Sequence, residues 1–109
     1  MLNIEKILKQ MISTLYTEKL HRYRIILTDG YELSVLTGSH FNSAELGTVE
    51  VALIKDNEFV YGPINSDRSI IHYMSWEQFN HFIRYMQTAY ENNLSDSYRI
   101  IFNIYKREE

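Results

Sequence analysis

Serine, histidine and carboxylate side chains gather in one short stretch of this chain, GSHFNSAELG, from Gly38 to Gly47. Ser39 offers a hydroxyl, His40 a base that titrates near neutral pH, and Glu45 a carboxylate. Nucleophilic catalysis needs such groups assembled in space, with the base oriented by a third residue. The local run Thr37-Gly38-Ser39-His40-Phe41 is not the G-x-S-x-G of a nucleophile elbow. The stretch therefore reads as a connection between strands. Gly38 and Gly47 let the backbone leave one strand and enter the next. Phe41 and Leu46 are expected to fold over the sheet edge. Loops on a rigid scaffold often carry recognition, so Ser39, His40 and Phe41 are retained as candidate ligand- or partner-contact residues.

Other chemistries find less material. Glu32 and Glu50 are placed as neighbours across strands, but acid–base work by paired carboxylates needs a pocket that drives their pKa values apart. A small open sheet rarely encloses one. His21, His40, His72 and His81 are scattered, no His-x-x-x-His occurs and there is no cysteine. No metal site is expected. There is no P-loop and no G-x-G-x-x-G, so no cofactor is expected either. The closest approach to the aromatic–basic interleaving of single-strand binders is Tyr23 between Arg22 and Arg24. Tyr23 falls on the inward-facing positions of a strand. The chain is read as a non-enzyme.

The elements that must position these residues follow from periodicity. Ile4, Ile7, Leu8, Met11, Ile12 and Leu15 recur at helical spacing behind a possible Asn3 cap, predicting a helix over about 4–16. HRYRIILTDGYELSVL alternates on both sides of Asp29-Gly30, a hairpin. A two-residue loop would put the two apolar rows on opposite faces. A three-residue loop, Thr28-Asp29-Gly30, pairs Leu27 with Tyr31, Ile25 with Leu33 and Tyr23 with Val35, and places Gly30 where a left-handed residue is needed. TVEVALI is a third strand and Phe59–Tyr61 a short fourth. Ile70 to Tyr73 follow a polar loop. Ser75 with Gln78 predicts a capping box, and Met74 with Phe79 a hydrophobic staple, at the start of a helix carrying Phe79, Phe82, Ile83, Met86 and Tyr90 inward. Tyr98, Ile100, Phe102 and Ile104 alternate with Arg99, Ile101, Asn103 and Tyr105, predicting a last strand. The expected fold is α+β: one domain over 1–109, an antiparallel sheet of four to five strands with two helices on one face. Arg24, Glu32, Ser34 and Glu50 should lie on the other, open face.

Composition narrows the class. The 109 residues are 45% hydrophobic, enough for one core. No apolar run is long enough for a membrane span, and MLNIEKILKQMISTLY lacks the apolar core of a signal peptide. Absence of cysteine fits a reducing cytoplasm. The net charge of −3 is unevenly spread: residues 29–67 hold seven acids, Asp29, Glu32, Glu45, Glu50, Asp56, Glu58 and Asp67, against Lys55 alone. An acidic middle repels phosphate, and no basic footprint for nucleic acid is present.

Residues 29–83 also resemble small accessory proteins of phages and mobile elements of low-GC Gram-positive bacteria. The resemblance is carried by Gly30-Tyr31, Ser34-Val35, Glu50 with Ala52, and Ile71 with Tyr73. Arg68 follows Asp67 where that pattern has a later acid. The resemblance brings no catalytic residue. It implies a cytoplasmic protein that inhibits a host defence protein, such as a CRISPR or restriction nuclease. Glu32, Glu45, Glu50, Asp56 and Glu58 would stand in for nucleic-acid phosphates in its basic groove. The alternative is a homo-oligomeric structural or regulatory accessory protein, a homodimer pairing through an edge strand or through exposed tyrosines, which exposed apolar surface at Ile101 and Tyr105 would favour.

Overall fold

The computed structural model describes residues 2–38, 47–60 and 70–107. In chain order these form α1 (Ile4–Ile12), β1 (His21–Ile26), β2 (Tyr31–Thr37), β3 (Thr48–Lys55), β4 (Glu58–Phe59), β5 (Ile70–Ser75), α2 (Trp76–Glu91) and α3 (Ser97–Arg107). All strand pairs are antiparallel. The order runs β1-β2-β3, and the far edge of β3 is shared. Its C-terminal end pairs with β4 through Ile54↔Phe59, and its N-terminal half pairs with β5 through Thr48↔Ser75 and Ala52↔Ile70. The class is α+β as expected, with three helices rather than two.

The first hairpin has the three-residue loop. Leu27 N–H donates to Tyr31 O at 2.9 Å, and Ile25↔Leu33 and Tyr23↔Val35 are partners. Asp29 and Gly30 take φ of +55° and +80°. Gly30 is needed for that left-handed conformation, and it also lets the exposed Asp56 carboxylate lie directly against the loop backbone. With this register Ile25, Leu33, Val35, Val51 and Leu53 all point inward and pack in one core with the buried residues of the three helices.

α1 stops at Ile12 rather than about residue 16. The hydroxyls of Ser13 and Thr14 donate back to the carbonyls of Gln10 and Met11, at 2.7 and 3.0 Å, which competes with continuing the helix. Leu15 stays buried beyond the end. Thr14 also bonds the hydroxyls of Tyr23 and of fully buried Thr37, at 2.8 and 2.7 Å, so Tyr23 does face the helices. α2 begins with the expected reciprocal capping box of Ser75 and Gln78. His81 on α2 is exposed.

The expected final strand is a correction: residues 97–107 are helical. Tyr98 and Phe102 are buried, with Ile101 and Tyr105 packed beside them, an i, i+3, i+4, i+7 stripe. Tyr98 stands edge-on to Tyr31 at 5.3 Å and bonds Thr28, and Phe82 meets Tyr105 at 5.3 Å. The sheet keeps its five strands because residues 70–75 form one. No helix among the described residues is long and apolar enough to cross a membrane.

Candidate functional site

With the core of the described residues built between the helices and the inner sheet face, the outer face is the candidate site. Strand alternation and register sort its residues into cross-strand rows. Arg22, Leu36 and Glu50 form the first, Arg24, Ser34, Ala52 and Ile70 the second, and Ile26, Glu32, Ile54 and Phe59 the third. The expected open-face residues Arg24, Glu32, Ser34 and Glu50 are therefore all there.

Opposite Glu50 the β5 register slips by one residue. His72 and Tyr73 together fill the space of one partner, a β-bulge, and Tyr73 is left-handed at φ +53°. The bulge aims His72 along the outer face. Its Nδ1 lies 2.7 Å from Glu50 Oε1. Without the extra residue, Ile71 and Met74 could not both point inward; both are buried.

Glu32 is held differently. Arg24 donates to it twice, from Nε at 2.7 Å and from the terminal guanidinium nitrogen at 3.0 Å. The Glu32 side chain is only 11% exposed while that of Arg24 is 62% exposed. The bidentate hydrogen bond to the carboxylate, followed by its charge, raises the Arg24 pKa further above its ordinary value.

These pairings change the reading of the acidic middle. Glu32 and Glu50 are not cross-strand neighbours: Glu32 is opposite Ile54 and Glu50 opposite Leu36. Four residues of strand separate the two positions, roughly 13 Å at the usual rise. Each carboxylate already has a nitrogen partner on the adjacent strand. A joint acid–base role has no geometric basis. Glu50 with His72 resembles the orienting half of a hydrolytic triad, but Ser34, a hydroxyl on this face, is two strands from β5 and one row along, about 12 Å away by strand spacing.

Asp56 and Glu58 sit elsewhere, at the β3–β4 turn. Asp56 and Asn57 have φ of +50° and +69°, the signature of a two-residue type I′ loop. The Asp56 side chain is 74% exposed, with Lys55 Nζ at 3.9 Å. Lys55 also donates to Asp29 O and lies over the Tyr31 ring at 4.5 Å. Arg99 donates to the Tyr31 hydroxyl at 2.8 Å, which brings a second cation to this tip. The tip is therefore mixed in charge. Ser39, His40, Phe41 and Glu45 lie outside the described residues. Ile101 and Tyr105, whose exposure would favour self-association, are half-buried against the core, whereas Ile100 and Ile104 on the other side of α3 are exposed.

Between the outer-face charges lies apolar surface. Ile26 is 61% exposed, and Leu36, Ile54, Phe59 and Ile70 are half-buried. The small side chains of Ser34 and Ala52 leave a depression of about 60 Å³, walled by Arg22, Leu36, Glu50, Phe59 and Ile70. It is the size of an anchor point for one side chain rather than of a substrate pocket. Among the described residues no group of three or more His, Asp or Glu side chains is placed to hold a metal. The partnerships missed in sequence, His72 with Glu50 and Arg24 with Glu32, depend on a bulge and on a register; only the register was readable, from the apolar rows. Compared with protein-family models, curated proteins and solved structures, the chain matches none.

Proposed function

We propose that the chain is a non-enzymatic protein-binding module that docks through the outer face of its sheet. The observation that supports this is the composition of that face. Its charged side chains are largely paired in the plane of the sheet, so Ile26, Leu36, Ile54, Phe59 and Ile70 present apolar surface whose polar neighbours need little further desolvation. Protein interfaces are built this way, with apolar anchors at the centre and polar groups at the rim. The partner we favour is a host defence protein, such as a CRISPR or restriction nuclease, which this chain would inhibit. That choice rests on the resemblance and on the acidic middle of the sequence. Mimicry of phosphates then falls to Asp56 and Glu58, with Glu45: Glu32 and Glu50 are less exposed and held by close nitrogen partners at 2.7 Å, whereas the Asp56 side chain is 74% exposed with only a 3.9 Å contact to Lys55.

The test is an affinity capture from a low-GC Gram-positive lysate expressing such a nuclease, at low and high salt, with three baits: the unchanged chain, Ile26→Asp, and Asp56→Lys/Glu58→Lys. One stoichiometric partner lost with Ile26→Asp supports docking through the sheet face. Loss with the turn variant, and at high salt, supports the mimicry. Recovery of only the bait, as a multimer by light scattering, would replace this reading with the homo-oligomeric accessory one. Capture that neither variant weakens would remove the assigned surface.

A further inference from the structure

A second concavity lies between the start of α1 and the end of α2. It has a volume of about 570 Å³, within the range of small-ligand sites and more than a single side chain fills. Leu2, Ile4 and Tyr90 give it an apolar lining, and Glu5, Gln87 and Glu91 bring polar groups to it. Glu5 is neutralised by Arg84 at 3.0 Å. Asn3, two residues before it, already caps α1, accepting from Lys6 N–H at 3.1 Å. The other three polar groups are not engaged: among the described residues the Gln87 amide, the Tyr90 hydroxyl and the Glu91 carboxylate make no side-chain hydrogen bond or ion pair.

Glu91 is also badly placed for the helix that carries it. It is the last residue of α2, where the carbonyl ends already concentrate negative charge, and that last turn has no basic residue. The carboxylate therefore opposes local stability. Charge of one sign, an aromatic face and an apolar floor are the chemistry that recognises an organic ammonium ion.

We propose that this groove binds a small organic ammonium ion carrying an apolar body, with Glu91 as counter-ion, the Tyr90 ring against the cation and Leu2 and Ile4 under the apolar part. The site is independent of the sheet face and of whatever docks there. The chain's own charge supports a cationic rather than an anionic ligand. Among the described residues Glu91 has no cation partner, and the positive end of α1 is already answered by Asn3 and Glu5.

The test is an NMR titration of the whole chain, following amide shifts, with phenethylammonium, its neutral analogue 2-phenylethanol and the anion 3-phenylpropionate. Saturable shifts at residues 2–5 and 87–91 with the ammonium ion, at least fivefold weaker with the alcohol and absent with the anion, are expected. Glu91→Gln should weaken ammonium binding about fivefold, the effect of removing one exposed ion pair, and should leave thermal stability equal or higher. Tyr90→Leu should weaken the ammonium ion more than the alcohol. Equal affinity for all three probes, or an unaltered ammonium affinity in Glu91→Gln, overturns the proposal. So does tighter binding of a blocked lysine peptide than of the free amine, which would give the groove to a partner's side chain.

Discussion

At the level of single residues, the outer sheet face is governed by Glu32. Its carboxylate is nearly out of water, and Arg24 alone supplies its charge-assisted bonds from the neighbouring strand. A buried charge stripped of its partner is costly, whereas an apolar pair in place of both is often tolerated. Arg24→Ala is therefore expected to lower the melting temperature more than the double change Arg24→Leu/Glu32→Leu. Equal losses in a thermal melt would mean that Glu32 is solvated well enough to stand alone. Part of this was legible. The alternation that placed Arg24, Glu32, Ser34 and Glu50 on one face is written in the sequence, and so is the need for a left-handed residue at Gly30. Which carboxylate meets which cation was not legible. His72 reaches Glu50 only because Tyr73 takes a conformation that non-glycine residues seldom adopt, and no residue type announces that.

Among the elements, α3 shows how two periodicities can share the same letters. Tyr98, Ile100, Phe102 and Ile104 alternate as a strand would, and the run is rich in aromatic and β-branched residues. Yet Tyr98, Ile101, Phe102 and Tyr105 fall equally well on one side of a helix. Two signals favoured the helix: a segment of eleven residues, long for a strand, and Lys106 and Arg107 in its last turn, where cations oppose the carbonyl charge. What decides between them is tertiary. Tyr98 and Phe102 fill a space beside Tyr31 and α2 that no other described element covers. Since Phe102 is fully buried, Phe102→Ala should cost about 3–4 kcal/mol in denaturant unfolding. A loss below 1 kcal/mol would indicate that α3 is only loosely attached. α2 illustrates the opposite situation, in which Ser75, Gln78, Met74 and Phe79 each specify the same start by local chemistry, so its N-terminus was legible from four residues.

For the molecule as a whole, the arrangement leaves β1 at one end of the sheet. Leu27 and Tyr31 form a hydrogen-bonded pair, so alternation turns the N–H and C=O groups of Arg22, Arg24 and Ile26 away from β2. Such a row invites another strand, and charged side chains on it discourage the invitation. Arg22→Val should raise the apparent mass measured by light scattering as concentration increases. A concentration-independent mass would show that Arg22 does not guard this edge. The opposite edge is divided between β4 and β5, and the division has a use for protein engineering. Phe59 is opposite Ile54 and Ile70 opposite Ala52, so the end of β4 and the start of β5 lie on the same side of one strand, about two residues, or 7 Å, apart. A foreign segment spliced in there spans a gap that β3 itself holds at constant width. Doubling the length of such a connection costs only about 0.6 kcal/mol in closure entropy. That makes the junction of β4 and β5 a natural port for a reporter or an epitope, attached without taking a residue from either the outer sheet face or the groove between α1 and α2.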